Sequence, residues 1–79
     1  SIPPRGELKR GMVLHFWPEV VGERVARATK KVSFDKERLI VQVENEMWRH
    51  ELHANRFSIR KKLNDKVGGD PVKDVVIRC

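Results

Sequence analysis

The sequence predicts an α+β domain in two layers, a three-stranded mixed sheet with helices on one face, and three observations predict it. Between residues 39 and 48 the hydrophobic period changes from two to nearly four, so a strand feeds almost directly into a helix. Upstream, two period-two runs flank the polar link Asp35 to Arg38, which is the pattern of a hairpin. Downstream, Val72 to Ile77 is a short β-branched run suited to a last strand. Three strands are too few to bury both faces, so the helices cover one face and leave the other more open. A helix crossing between strands two and three allows these to be parallel, whereas the hairpin is antiparallel.

Taken in order, residues 1–6, with Pro3 and Pro4, form an extended, poorly ordered lead-in to a single domain over residues 7–79. From Glu7 to Phe16, Leu8, Met12 and Phe16 recur every four residues, which predicts a helix despite Gly11. Pro18 lacks an N–H and suits a first helical turn, so one helix is expected to end near Phe16 and another to start at Pro18, or a single helix to kink there. Trp17, Val20, Val21, Val25 and Ala28 share one side of this second segment, and Glu19 near its start complements the helix dipole. Gly22 costs helix propensity, which points to close contact with a neighbouring backbone.

Val32 and Phe34 alternate before the link, and Leu39, Val41 and Val43 continue the alternation after it. With no Asn-Gly or Asp-Gly, the turn type is left open. Asn45 caps one long helix from Glu46 to Lys66, and Gly68 and Gly69 suit its C-terminus ahead of Asp70 and Pro71. On that helix Trp48, Leu52, Ile59, Leu63 and Val67 form the stripe that faces the core, with Trp48 a core anchor rather than a base-stacking ring. Trp17 is structural for the same reason. Phe57 lies off the stripe, either under the N-terminal helix or exposed as an apolar contact. The element order is α-α-β-β-α-β.

Seventeen Lys and Arg against eleven Asp and Glu give a net charge of +6. The excess sits in the helical segments, seven basic against three acidic groups in residues 1–31 and six against three in residues 46–67. Basic helices on a neutral sheet suit a polyanion, and nucleic acid is the commonest one in cells. Arg49, His53, Arg56 and Arg60 form a row beside the core stripe. Lys61, Lys62 and Lys66 continue it around the helix, and Arg24, Arg27, Lys30 and Lys31 join it near the end of the preceding helix. Arg49, Arg56, Arg60, Lys61, Lys62, Lys30, Lys31, Arg24 and Arg27 are therefore the candidate nucleic-acid-binding residues, by salt-sensitive contact with phosphate whatever the base sequence. The mundane alternative pairs these cations with Glu51 and Asp65 in weak surface ion pairs.

Catalysis is not expected. Phosphate-loop and Gly-x-Ser-x-Gly patterns are absent, as are paired carboxylates in an obvious cleft, and Gly68-Gly69 follows a helix instead of opening one. His50 and His53 are three residues apart, but no third ligand is evident, so neither a metal nor another cofactor is expected. Cys79 is the only cysteine, which excludes an intramolecular disulfide. Without a membrane-length apolar run or an apolar leader segment, a cytoplasmic location is expected.

Trp17-Pro18-Glu19-Val20-Val21-Gly22, Leu39-Ile40-Val41-Gln42-Val43, Met47-Trp48-Arg49-His50-Glu51-Leu52, Lys62-Leu63-Asn64 and the Val72-to-Arg78 strand together resemble the bacterial DciA family over residues 8–78. The resemblance implies a K-homology-like fold and a DNA-replication factor that binds single-stranded or duplex DNA and the DnaB-type replicative helicase, whose loading it assists; ATP is then hydrolysed by the partner. Two departures stand out. The family usually has a glycine in the hairpin where this chain has Asp35-Lys36-Glu37-Arg38. The Gly-x-x-Gly by which nucleic-acid-binding K-homology domains grip four nucleotides is also missing, so DNA contact falls to the basic helices. A K-homology-like RNA-binding module and a pure protein-interaction domain are the alternative readings.

Overall fold

The computed structural model describes residues 5–79, with side chains from Leu8 onward. Its elements are α1 (Arg5–Val21), α2 (Glu23–Ala28), β1 (Thr29–Asp35), β2 (Arg38–Val43), α3 (Glu46–Ala54), α4 (Arg56–Val67) and β3 (Asp74–Arg78). This is the expected α+β architecture with a three-stranded mixed sheet, and the strand order is β1-β2-β3. β1 and β2 are antiparallel, β2 and β3 parallel. The most apolar strand takes the centre: Leu39, Val41 and Val43 have no exposed surface. Beside them in register stand Phe34 and Val32 on β1 and Val75 and Ile77 on β3. Val13 and Trp17 of α1, Leu52 of α3, Ile59 and Leu63 of α4, and Val72 close the core over this face.

The other face of the sheet carries three rungs, Asp35–Arg38–Asp74, Ser33–Ile40–Val76 and Lys31–Gln42–Arg78. Among the described residues no helix covers it, and Ile40 and Val76 are half-buried there.

Several expectations change. Of the lead-in over residues 1–6, the first four lie outside the described residues, and Arg5 and Gly6 already belong to α1. Of the two outcomes expected at Pro18, a single helix is found, running on to Val21; the bond that Pro18 cannot donate belongs to the carbonyl of Leu14, on a side of the helix where both residues are exposed and water can replace it. The break falls at Gly22, whose φ of 92° is open to glycine, while a Cβ there would meet nothing within 4 Å. Conformation, not close packing, is what Gly22 supplies. The repeat Leu8, Met12, Phe16 is also not the buried face: Leu8 is 55% exposed, and Val13 and Trp17 fill the core. Against α4 and β1, the chain turns the Val13–Trp17–Val20 side inward.

The long helix is two helices. Asn55 (φ −102°, ψ 11°) separates α3 from α4, and its side-chain amide donates to the Glu51 carbonyl at 2.9 Å while the Arg56 guanidinium donates to the His53 carbonyl at 2.8 Å. These two bonds satisfy carbonyls that the break frees. The core stripe survives because Leu52 and Ile59, seven residues apart, both face inward on either side of it. Asn45 caps α3 as expected, accepting from the Trp48 N–H at 3.0 Å. Gly68 and Gly69, with φ of 76° and 101°, end α4. Val72 is core but precedes the last strand, which starts at Asp74.

Candidate nucleic-acid interface

The nine expected cations do not form one patch. Arg24 and Arg27 are exposed on α2, where Arg27 is paired with Glu23 one turn back. Lys30 and Lys31 are not at a helix end as expected: α2 stops at Ala28, and both lie on β1, an edge strand, at the irregularity where the register shifts between Thr29 and Lys31. Arg49 is taken by Glu46 at 2.7 Å, and the two sit against the Cys79 thiol at the end of β3. Arg49 holds the Glu46 carboxyl below its ordinary range, with help from the thiol, and Glu46 in turn raises both the guanidinium and the thiol. That pairing removes Arg49 from the free positive surface.

Arg56, Arg60 and Lys61 are together on the outer side of α4. Arg56 places its guanidinium 4.6 Å from the centre of the Phe57 ring. Arg60 comes to 4.0 Å from Asp70, a loose contact, because Asp70 is held more closely by Lys73 at 2.6 Å. The Lys73 hydrogen bond, aided by the charge of Arg60, keeps the Asp70 carboxyl below its ordinary range. Phe57, Arg60 and Lys61 recur at spacings of three and one, and with Asn64, Gly69 and Asp70 they line an open hollow of about 590 Å³. Lys62 points to the opposite flank of α4, toward Lys66, which is engaged by Glu19 at 2.8 Å. Among the described residues, Arg24, Lys30, Lys31, Arg56, Lys61 and Lys62 have no carboxylate within 4.0 Å. The carboxylates that do pair with the candidate cations are Glu23, Glu46 and Asp70, not the Glu51 and Asp65 of the alternative reading.

Phe57 is the site residue that the sequence left unassigned. It is 64% exposed, so it does not pack under α1. The available signal was its place between Arg56 and Lys61, out of step with every core position. Trp48 behaves as expected, half-buried and packed on the core. Its flank joins Val21, Val25 and the 65% exposed Met47 along a second groove, between α1–α2 and α3, which has Arg24 and Glu51 at its rim. His50 and His53 are both exposed on α3, and no group of three potential metal ligands occurs among the described residues. No helix among those residues is long and apolar enough to cross a membrane.

A small α+β domain with free cations on helix faces and an exposed aromatic ring among them has the build of a non-covalent binding domain. Residues 4–77 match the family described as Dna[CI] antecedent, DciA. The chain belongs to that family, one of replication factors associated with the DnaB helicase and related to helicase loading, not a family of enzymes. No curated protein matches the chain.

Proposed function

We propose that this chain binds DNA through the outer side of α4 while it engages a DnaB-type replicative helicase in the cytoplasm, and so assists placement of the helicase on a single strand. The observation that carries the DNA contact is Phe57: an exposed ring flanked by Arg56 and Lys61 is a stacking platform set among phosphate ligands. Arg60 adds a third cation once phosphate displaces its loose contact with Asp70. Lys30, Lys31, Arg24 and Lys62 supply further, separate positive charge and act through the long-range field. The helicase is assigned to the groove walled by Met47, Trp48, Val21 and Val25, because exposed Met and a half-buried Trp give an adaptable apolar contact on a different flank from Phe57.

Titration of fluorescent oligonucleotides at several salt concentrations tests the DNA arm. Arg56→Glu with Lys61→Glu is expected to weaken both single-stranded and duplex DNA and to lower the log–log salt slope by about 1.4 for a single strand, two contacts at roughly 0.7 each. Phe57→Ala is expected to weaken single strands by about 1–3 kcal/mol and duplexes much less. Unchanged affinity in both variants removes α4 from the interface, and tighter retention of RNA than of DNA moves the chain to the RNA-binding alternative. Met47→Glu, at an exposed position, is expected to lose retention of the helicase in a pull-down while keeping DNA affinity; full retention removes the groove.

A further inference from the structure

The outer edge of β3 is open, with β2 its one strand neighbour among the described residues. A two-residue turn makes Asp35 and Arg38 the closing pair of the hairpin, so Arg38, Ile40 and Gln42 direct their backbone groups to β1, and Leu39, Val41 and Val43 direct theirs to β3. With Leu39 level with Val75 and Val41 level with Ile77, the parallel ladder engages Asp74, Val76 and Arg78. The backbone N–H and C=O groups of Val75 and Ile77 therefore point away from the sheet. Asp74 Oδ1 accepts from the Val75 N–H at 2.9 Å, a local substitute for a strand partner. The opposite edge, β1, carries two lysines and a register irregularity of the kind that discourages edge pairing; β3 carries neither lysine, proline nor bulge.

The edge is also charge-palindromic. Asp74, Val75, Val76, Ile77 and Arg78 read acid, apolar, apolar, apolar, base, and neither Asp74 nor Arg78 has an ion-pair partner within 4.0 Å among the described residues. We propose that a second copy of this chain pairs antiparallel with β3 about a two-fold axis at Val76, joining two three-stranded sheets into one of six strands. In that register Val75 exchanges both backbone hydrogen bonds with Ile77 of the second copy, and Val76 meets its own counterpart in a non-hydrogen-bonded pair. Asp74 leaves its own chain's amide, which now donates to a carbonyl, and lies opposite Arg78 of the second copy, twice per dimer. Arg38 flanks Asp74 from the neighbouring strand, so the carboxylate sits between two guanidinium groups on one rung. On the next rung Ile40 and Val76 of each copy form a four-residue apolar row across the open face. A slip of two residues loses both ion pairs, so charge fixes the register. The contact is isologous and closes at two copies.

Sedimentation equilibrium over a concentration series tests this, with a reversible monomer–dimer equilibrium expected. Asp74→Arg and Arg78→Asp are each expected to raise the dissociation constant about tenfold or more by placing like charges opposite. The double variant Asp74→Arg, Arg78→Asp restores both pairs and is expected to return the constant to near that of the parent, which a folding defect could not do. In a Cys79→Ser background, Val76→Cys is expected to form a disulfide-linked dimer on oxidation, since non-hydrogen-bonded pairs bring Cα atoms to about 4.5 Å. Ile40→Cys in the same background is not. A single species of monomer mass at every concentration overturns the proposal. So does a dimer that the single reversals leave intact or the double variant fails to rescue, or equal cross-linking at positions 40 and 76.

Discussion

Asn64 is the one polar side chain buried among the described residues, at 6% exposed, and it fixes how the chain leaves α4. Its Oδ1 accepts from the Val72 N–H at 2.9 Å, and its Nδ2 donates to the Val72 carbonyl at 2.9 Å and to Asp70 Oδ1 at 2.8 Å. Both backbone groups of a fully buried valine are thus satisfied by one amide. Asn64→Ala is expected to cost about 2–4 kcal/mol in urea unfolding, because it strands a buried donor and acceptor together. Asn64→Asp should be worse near neutral pH, since a carboxylate would face the Val72 carbonyl and Asp70, and should recover part of the loss in acid; equal loss at both pH values would contradict that account. At the other end of the sheet, Glu46 titrates lower in the folded chain because Arg49 and the Cys79 thiol hydrogen-bond to it. A carboxyl of depressed pKa binds fewer protons folded than unfolded, so its contribution is full above the unfolded value and fades as pH falls through the folded one. Glu46→Gln is accordingly expected to lower stability at pH 7 more than in acid. It should also speed alkylation of Cys79, whose thiol Glu46 holds up, and an unchanged rate would mean that the contact is not populated in solution.

Element boundaries were legible where the side chain itself makes the boundary and illegible where the backbone does. Asn45 and the Gly68-Gly69 pair announce a cap and a stop, and both were found where the sequence put them. Pro18 leaves a break and a continuous helix both open, because the cost of proline in a helix depends on whether the orphaned carbonyl reaches water, which tertiary placement decides. Asn55 is quiet for the opposite reason: the inward positions Leu52 and Ile59 keep a helical spacing across the break, so periodicity cannot see it. The hairpin shows the same limit. Lys36 takes a φ of 58°, a region that costs a residue with a Cβ about 1–2 kcal/mol, and Arg38 clamps Asp35 across the turn at 2.9 Å. Lys36→Gly is therefore expected to stabilise the chain by about 0.5 kcal/mol, relief of strain less the backbone entropy of glycine. Gly22→Ala at φ 92° should destabilise it by about 1 kcal/mol or more although nothing obstructs the added methyl group. Opposite signs for two changes on exposed backbone separate conformation from packing; a neutral Gly22→Ala would return the break to some other cause.

At the scale of the whole molecule, charge was legible as a total and not as a surface. Most of the excess lies on the helices, but Lys30 and Lys31 fall on β1, and Arg27, Arg49, Arg60 and Lys66 are engaged by carboxylates. Two of those carboxylates lie off the helix that carries their cation, Glu19 on α1 and Asp70 in the connection between α4 and β3, which helix spacing alone could not foresee. What remains is a field spread over α2, the β1 edge and both flanks of α4, with a concentrated patch only where Phe57 stands. Such a field predicts that any polyanion stabilises the fold by binding it, by an amount set by occupancy and abolished by salt. At a ligand concentration 100 times the dissociation constant, linkage gives about 2.7 kcal/mol, or roughly 10–20 °C in Tm for a chain of this size. Duplex DNA, single-stranded DNA and heparin should all raise Tm at low ionic strength and lose the effect near 0.5 M salt, roughly where the Debye length falls toward the spacing of neighbouring charges. The field alone treats the three by charge density; a stacking ring does not. An excess shift for single strands that survives to higher salt, and that Phe57→Ala removes without touching the heparin shift, is the expected signature of α4 gripping unpaired bases. Equal behaviour of all three ligands in parent and variant would reduce the surface to charge and leave Phe57 without a role in DNA.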